Sequence, residues 1–167
     1  MPLVRIYHPS PRAFTNAVER KAFVDEIVKM YTSYGLPAFY VIVLFIPVPD
    51  DYLYVGGRSD ERANADPNES AMIRVVFDHI ARTIENPEMA LKFFAGVDKI
   101  FKTHILDKGH EVEYHLIESP REFCKMNGMY LPPNDSEAEA VWARDNRPSH
   151  FEGMEKPMAS IKPMYIS

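Results

Sequence analysis

The first group in the chain that could do chemistry is the proline at position 2, which precedes the strand-like run "LVRIYH" over 3–8. When an initiator methionine is removed ahead of a small residue, Pro2 carries a free secondary amine that can act as a base, an acid or a nucleophile. A free α-amino group has a pKa of about 8, and partial burial or a nearby cation would lower it towards neutrality, where a general base works best. This stretch alone favours a structural role, because the first residue of a strand is one of the few sheet positions open to proline, and the rest of the chain has to decide.

Cations that could stand beside such an amine lie in the segment "IRVVFDHIAR", over 73–82. Arg82 comes at the end of a strand-like run, where ligand sites of open sheets gather, and its planar guanidinium matches a carboxylate. His79 would assist when protonated, although a single histidine is more often a hydrogen-bonded structural residue. Arg74 is a further candidate, and for both arginines a surface charge or ion pair is the commoner role. We therefore predict that Arg82, His79 and Arg74 bind the carboxylate of a small-molecule substrate.

The other chemistry-bearing residues form no recognisable constellation. His115, in "EYHLIE", alternates with apolar neighbours, so core packing and function are equally open for it. Cys124 is the only cysteine, which excludes an intrachain disulfide. No cluster of His, Cys, Asp and Glu has the spacing of metal ligands, and no glycine-rich stretch forms a phosphate loop. We therefore expect neither a metal nor an organic cofactor.

Composition limits the class of protein. The 167 residues carry a net charge of −5 and are 46% hydrophobic, which fits one domain with a sizeable core. The acidic balance gives no electrostatic reason to expect nucleic acid or an anionic membrane as a partner. No apolar run approaches the ~18 residues of a membrane span, and no secretory signal pattern opens the chain. With one cysteine, a reducing cytoplasm is the expected location.

The first part of the chain predicts a strand, a helix and a second strand over about 2–47. Thr15 or Asn16 can cap the helix, with Glu19 three residues after Asn16, and Gly35 ends it. The nine apolar residues "AFYVIVLFI" over 38–46 indicate a central strand that is buried on both faces. Apolar residues recur at three- and four-residue spacing and predict one buried face of this helix: Val18, Ala22, Phe23, Ile27, Met30, Tyr31 and Tyr34.

The same pattern returns over about 71–118. A strand-like run over 72–81 is followed by a helix that begins near Pro87, and an alternating strand covers 111–118 after Gly109. Two such units with right-handed crossovers would place four main strands in one sheet, with both helices on one face. Oligomerisation is the expected way to cover the other face.

Two segments carry no periodic pattern. Residues 58–70 are polar and contain a proline, which predicts a long loop. Residues 133–167 are rich in Pro and Met and include the only tryptophan, Trp142, without a clear period. We therefore predict one domain over 1–132, followed by a C-terminal arm or tail.

Several stretches together resemble the tautomerase superfamily, whose members use an amino-terminal proline, and within it the cis-3-chloroacrylic acid dehalogenase group and its fungal relatives. They are Pro2 before a strand, "FYVIVLF" after the first helix, "YLYVGG", "HIAR" at the end of the third strand, and "ESPREFCKMNGMYLPP" over 118–133. Their order and spacing extend the resemblance over residues 2 to about 133. It implies an α+β fold with a β-α-β unit repeated in tandem, and a homotrimeric assembly.

The resemblance also implies roles for particular residues. Pro2 matches the catalytic proline of the family, and Arg82 matches the second of two arginines that hold the substrate carboxylate. His79 replaces the first of these arginines. His115 stands where the dehalogenase has a tyrosine in its late strand. Pro2 and His115 are therefore candidate catalytic residues, and Arg82 and His79 are candidate substrate-binding residues.

Two places depart from the dehalogenase pattern. Its histidine near the end of the first helix corresponds to Met30 or Tyr31. Its water-activating glutamate corresponds to Met126, with Asn127 adjacent, and Asn127 is therefore a third candidate catalytic residue. Because the base that activates water is missing, hydrolytic dehalogenation is not expected. The remaining groups suit tautomerisation or proton transfer next to a carbonyl or carboxylate.

The resulting hypothesis is a cofactor-free, tautomerase-like enzyme that uses Pro2 as general base on small carboxylated enol, keto or unsaturated acids. One alternative is a trimeric protein that keeps the fold and binds a small ligand without catalysis. Another is a weak dehalogenase or hydratase of 3-haloacrylates. Retention of Met1 would favour the binding protein, because the nitrogen of Pro2 would then be an amide.

Overall fold

Eight strands and three helices of very different length form the main elements of the described residues. The computed structural model describes residues 1–10, 12–55, 58–59 and 71–156. The strands are β1 Pro2–Pro9, β2 Ile42–Val48, β3 Tyr54–Val55, β4 Arg58–Ser59, β5 Met72–Ile80, β6 Glu111–Ser119, β7 Lys125–Met126 and β8 Met129–Tyr130. The helices are α1 Ala17–Thr32, α2 Pro87–His104 and α3 Glu137–Asp145. Short 3₁₀ turns lie at Ala38–Tyr40, Asp50–Tyr52, Leu106–Lys108 and Arg121–Phe123.

Four strands form one mixed sheet in the order β2-β1-β5-β6. β1 runs parallel to β2, β5 runs parallel to β6, and the two pairs meet through the antiparallel strands β1 and β5. Each parallel pair is connected through a helix, as parallel strands require. The predicted α+β fold with two β-α-β units in tandem is therefore confirmed.

Both crossover helices begin at an asparagine. The side-chain oxygen of Asn16 accepts a hydrogen bond of 2.9 Å from the backbone N–H of Glu19 at the start of α1. Asn86 does the same for Met89 in α2, where Pro87 occupies the first turn. The buried faces of the two helices pack on the same side of the sheet through Phe23, Ile27, Tyr31, Phe93, Val97, Ile100 and Phe101.

The predicted position of the second strand is wrong. Residues 42–48 form β2 at the edge of the sheet, and the first three residues of the predicted strand, Ala38–Tyr40, are a 3₁₀ turn. Ile42 and Leu44 are 40% and 45% exposed on the face away from the helices. An unbroken apolar run indicates two apolar faces, but strand order depends on pairing between distant segments, which the run does not encode. Val18 is also misassigned to the buried face of α1, since it is 80% exposed.

The C-terminal segment contains a helix that the sequence pattern did not predict. Ser136 caps α3, and Trp142 on this helix is fully buried, with its indole N–H donating to the carbonyl oxygen of Ser149 at 2.8 Å. Trp142 packs with Tyr40 and Leu131 in a second apolar cluster beside the main core. The helix has a short buried stripe, which leaves little periodicity to detect. A domain boundary at residue 132 stays a prediction.

Two predictions concern segments that are described only in part. The strand predicted in "YLYVGG" is present as Tyr54–Val55, which pairs with Arg58–Ser59. Most of the predicted loop over 58–70 lies outside the described residues, as do residues 157–167.

Candidate active site

A pocket of about 340 Å³ opens at the end of the sheet where β1 begins and β5 ends. Pro2, His79 and Arg82 line it from the sheet and the residues that follow β5. Tyr31 and Lys92 line it from the helices, and Asn134 comes from the segment before α3. Three of the six predicted site residues, Pro2, His79 and Arg82, therefore share one pocket.

Pro2 is held at the pocket by the sheet. It is buried as the first residue of β1, and its register partner on β5 is His79. Met1 adds one more pair of contacts ahead of Pro2, because the N–H of Ile80 donates to the Met1 carbonyl at 2.8 Å and the Met1 amine donates to the Ile80 carbonyl. Burial lowers the pKa of the Met1 amine to about 5. The N-terminal end of β1 is therefore an environment that disfavours an ammonium ion.

His79 is a buried, neutral imidazole. Its Nε2 lies 2.9 Å from the hydroxyl oxygen of Tyr31, and its ring packs edge-to-face on Phe93 with centroids 4.9 Å apart. Burial, assisted by the positive charge of the terminal amine, lowers the pKa of His79 to about 4. Burial also raises the pKa of Tyr31, so its hydroxyl stays protonated. At neutral pH the pocket thus holds an uncharged His–Tyr pair, and not the protonated histidine expected from the sequence.

Arg82 reaches the pocket through a sharp turn at the end of β5. Ala81 has φ of 69°, in the left-handed region, and its N–H donates to the carbonyl oxygen of Ser119 at 3.0 Å. A left-handed alanine costs on the order of 1 kcal/mol, so the surrounding contacts must hold this turn in place. The turn takes the chain out of the sheet and places the Arg82 side chain, which is 25% exposed, at the pocket.

A carboxylate from α3 binds Arg82. Nη2 of Arg82 donates to Oε2 of Glu139 at 2.9 Å, and the same Oε2 accepts from the backbone N–H of Asp135 at 2.8 Å. Glu139 is only 5% exposed. The side chain of Asp135 is exposed, with Oδ2 at 3.8 Å from Nη1 of Arg82. The segment before α3 and its first turn therefore form part of the site.

The other three predicted site residues lie elsewhere. Arg74 and His115 are on the sheet face away from the helices, where Nη1 of Arg74 is 2.5 Å from Oε2 of Glu113 and Nη2 is 3.5 Å from Nδ1 of His115. Asn127 occupies the turn between β7 and β8 with φ of 51°, a conformation that asparagine tolerates. None of these three lines the pocket around Pro2.

Two residues of the site were missed by sequence reasoning, one in the pocket lining and one bound to Arg82. Lys92 lies one position before the buried Phe93 on α2, and its Nζ is 5.9 Å from the ring centroid of Tyr34. Its place beside an apolar stripe could have suggested a position at the edge of the buried surface. Glu139 carried no such signal, because it is 57 residues from Arg82 along the chain.

Among the residues that the structure describes, no group of three or more His, Cys, Asp or Glu is arranged to hold a metal ion. Within that same part of the chain, no helix combines the length and the apolar character needed to cross a membrane.

Comparison with known families and structures gives one family match. A family model described as "Putative oxalocrotonate tautomerase enzyme" matches residues 1–147. The part of the chain that matches the family model therefore extends beyond residue 132 and includes Glu139. A comparison with curated proteins gave no match.

Among solved structures, a probable enzyme from the thermophilic fungus Aspergillus fumigatus is 33% identical, with a TM-score of 0.78 over 90% of this chain and 98% of that chain. RhCC from Rhodococcus jostii RHA1 is 29% identical, with a TM-score of 0.78 over 89% and 99%.

Two further structures share the fold at lower identity. N1, a member of the cis-3-chloroacrylic acid dehalogenase family, is 15% identical with a TM-score of 0.60 over 86% and 97%. A fused 4-OT, which forms a symmetric trimer, is 15% identical with a TM-score of 0.55 over 75% and 91%.

Proposed function

The chain belongs to the tautomerase family described as putative oxalocrotonate tautomerase enzymes, and we propose that it is a cofactor-free, tautomerase-like enzyme acting on small carboxylated enol, keto or unsaturated acids. The observation that carries this proposal is the meeting of Pro2 and Arg82 in one pocket. A base and an anion anchor in the same small cavity are what proton transfer next to a carboxylate requires.

The general base is the amine of Pro2 after loss of Met1. Pro2 is buried and opens a strand, so its nitrogen would be held on a rigid element of the sheet. The same burial that lowers the pKa of the Met1 amine to about 5 acts on an amine one residue further along β1. Such an amine would be favoured in its unprotonated, basic form. It can remove the enol hydroxyl proton of a substrate and return a proton to carbon, which completes tautomerisation without a co-reactant.

Arg82 is the anchor for the substrate carboxylate. Its guanidinium is always charged and presents five N–H donors, of which the Glu139 contact engages one. The donors that remain can bind an anion from the pocket side. Lys92 places a second positive charge in the pocket lining.

His79 and Tyr31 act as a neutral pair in this proposal. The hydroxyl–imidazole contact of 2.9 Å orders both side chains next to Pro2 without adding charge. A protonated His79 would disfavour protonation of the Pro2 amine during turnover, so a neutral imidazole suits a base that must accept a proton.

Dehalogenation is the less supported activity. Met126, which takes the place of the water-activating glutamate, lies in the apolar cluster around Trp142 and does not line the pocket. Asn127, next to it, is in a turn outside the pocket lining. Neither residue is placed to activate water beside Pro2.

The proposed assembly is a homotrimer. The sheet face away from the helices exposes Ile42, Leu44 and Ile117, and a fused 4-OT of the same fold is a symmetric trimer. Packing of three such faces would remove this apolar surface from water. A molar mass of one chain at micromolar concentration, measured by light scattering, would contradict the trimer. A cytoplasmic location is also part of the proposal, supported by the single cysteine.

The test of the proposed function compares two preparations of the full chain, with and without Met1, identified by intact mass. The preparation that lacks Met1 should ketonise phenylenolpyruvate, and the one that retains it should be inactive because its Pro2 nitrogen is an amide. Equal activity of the two preparations would remove Pro2 from the mechanism. Activity of neither on a panel of enol and keto acids, with ligand binding intact, would favour the binding protein, in which Met1 stays paired with Ile80.

A further inference from the structure

The Arg82–Glu139 ion pair is unusual for an anion anchor, because the anchor already holds a carboxylate of its own chain. Glu139 is 5% exposed and its Oε2 accepts two hydrogen bonds, from Nη2 of Arg82 at 2.9 Å and from the Asp135 backbone at 2.8 Å. The exposed Asp135 adds a second carboxylate, 3.8 Å from Nη1. The positive charge of Arg82 is therefore opposed by two negative charges from the segment before α3 and its first turn.

The same contacts fix the guanidinium. Glu139 is itself held by its helix, whose N-terminus is capped by Ser136, and the helix is anchored through the fully buried Trp142. Nε of Arg82 is buried without a hydrogen-bond partner among the described residues. Glu139 thus sets the orientation of Arg82 through Nη2, while it lowers the positive potential that an incoming anion meets.

We propose that Glu139 is the residue that determines how strongly this pocket prefers a carboxylate over an uncharged group of the same shape, with Asp135 adding a smaller effect of the same sign. The inference rests on the proposed function, because it takes Arg82 as the anchor. Glu139 acts through Arg82 and is a positioning residue. With Glu139 bound to it, Arg82 orients a substrate carboxylate but holds it less tightly than an unpaired arginine would.

Glu139→Gln separates the two effects of this residue. The amide oxygen of Gln can still accept from Arg82 and from the Asp135 N–H, so the orientation is kept while the opposing charge is lost. Binding of phenylpyruvate, measured by calorimetry, should tighten about tenfold, as expected for the removal of one like charge at ~7 Å in a partly exposed site. Binding of its methyl ester should stay unchanged. In turnover, KM should fall with little change in kcat.

Two variants complete the series. Glu139→Ala loses both the charge and the hydrogen bonds, so it should bind phenylpyruvate more weakly than Glu139→Gln. Asp135→Asn keeps a residue that tolerates the φ of 59° at this position, and should tighten binding of the acid two- to threefold. Because Asp135 is exposed, this variant tests the inference even if Glu139→Gln fails to fold. Glu137→Gln is the matched control, with the same charge change on an exposed position of α3.

The outcomes distinguish the two proposals. If Arg82→Ala abolishes phenylpyruvate binding but Glu139→Gln and Asp135→Asn bind acid and ester as the wild type does, the inference about Glu139 is overturned and the proposed function stands. If the wild type and Arg82→Ala bind the acid equally, or neither binds, Arg82 is not the anchor, and both proposals fail. A tenfold gain that appears equally in Glu137→Gln would assign the effect to net charge and also overturn the inference.

Discussion

The two faces of the main sheet carry the same kinds of side chain in very different surroundings. On the helix side, at the end of β5, the site groups His79, Arg82 and Glu139 are largely buried. On the opposite face, Arg74 and Glu113 form an ion pair with side chains 44% and 59% exposed, and His115 lies beside them. Exposed pairs of this kind contribute about 0–1 kcal/mol to stability, whereas burial changes the chemistry of the groups themselves.

Strand alternation accounts for most of this difference. His79 and Arg74 are five residues apart on one strand, and an odd separation places two side chains on opposite faces. The alternation of faces does not apply to Arg82, because the left-handed turn at Ala81 takes the chain out of the sheet before it. The comparison shows that residue type identifies candidates for a site, and that face and burial select among them.

The largest expected effect is at the N-terminal end of the pocket. Pro2→Ala should reduce proton-transfer activity about 10²- to 10⁴-fold, the usual contribution of a general base. In the wild type lacking Met1, activity should rise with pH through the pKa of the Pro2 amine, because only the unprotonated amine is a base. Steady-state rates on phenylenolpyruvate between pH 4 and 8 measure both effects. Pro47→Ala, an exposed proline on β2, is the control, and a pH-independent rate would contradict the assignment.

The two arginines provide the next test. Arg82→Ala should weaken binding of the substrate carboxylate by about 2–5 kcal/mol, whereas Arg74→Ala should leave KM unchanged, because it lies on the other face. Arg82→Lys should also bind poorly, since an ammonium lacks the planar fork. Steady-state KM values on one enol acid measure the contrast. Equal losses in Arg82→Ala and Arg74→Ala would mean that the pocket around Pro2 is not the site.

The burial of His79 should couple the stability of the fold to pH. The folded-state pKa of His79 is lowered to about 4, below the unfolded value of about 6.5, so the unfolded chain binds the extra proton between these values. The free energy of unfolding should therefore decrease by up to about 3 kcal/mol as pH falls from 6.5 to 4. Urea unfolding at pH 7 and pH 5 should show a smaller decrease in His79→Gln than in wild type. His115→Gln, on the opposite face of the sheet, is the matched control, and an unchanged slope in His79→Gln would refute the buried neutral state.

The smallest effect is expected at the hydroxyl that contacts His79. Tyr31→Phe leaves the buried Nε2 without its partner and should cost about 1–3 kcal/mol of unfolding free energy, together with a modest loss of activity. Tyr34→Phe changes another tyrosine of the pocket lining and is the matched control. Thermal unfolding of the two variants measures the difference. If both behave alike, the Tyr31–His79 contact does not stabilise the fold.

Part of the site could be predicted from short segments. Pro2 before a strand and Arg82 after one were both assigned to a pocket, and the structure brings them together. Arg74 could have been excluded from the site on sequence grounds, because it is an odd number of residues from His79 on the same predicted strand and therefore faces the other side of the sheet. His115 could not, because its face follows from its pairing with Val76 on β5, and that register joins segments about 40 residues apart. Glu139 could not be predicted as a site residue, because its partner Arg82 is 57 residues away along the chain and α3 has little periodicity.

The sequence by itself determined the local elements. Propensity and periodicity within a few residues set the cap of α1, the proline that opens α2, the apolar helix faces and the strand-forming runs, and these were sufficient to predict two β-α-β units. Only the tertiary structure decided that β2 lies at the edge, that Arg74 and His115 share the open face, and that Glu139 meets Arg82. These features depend on pairing and packing between distant segments, whose free energy comes from contacts that do not exist until the chain has folded.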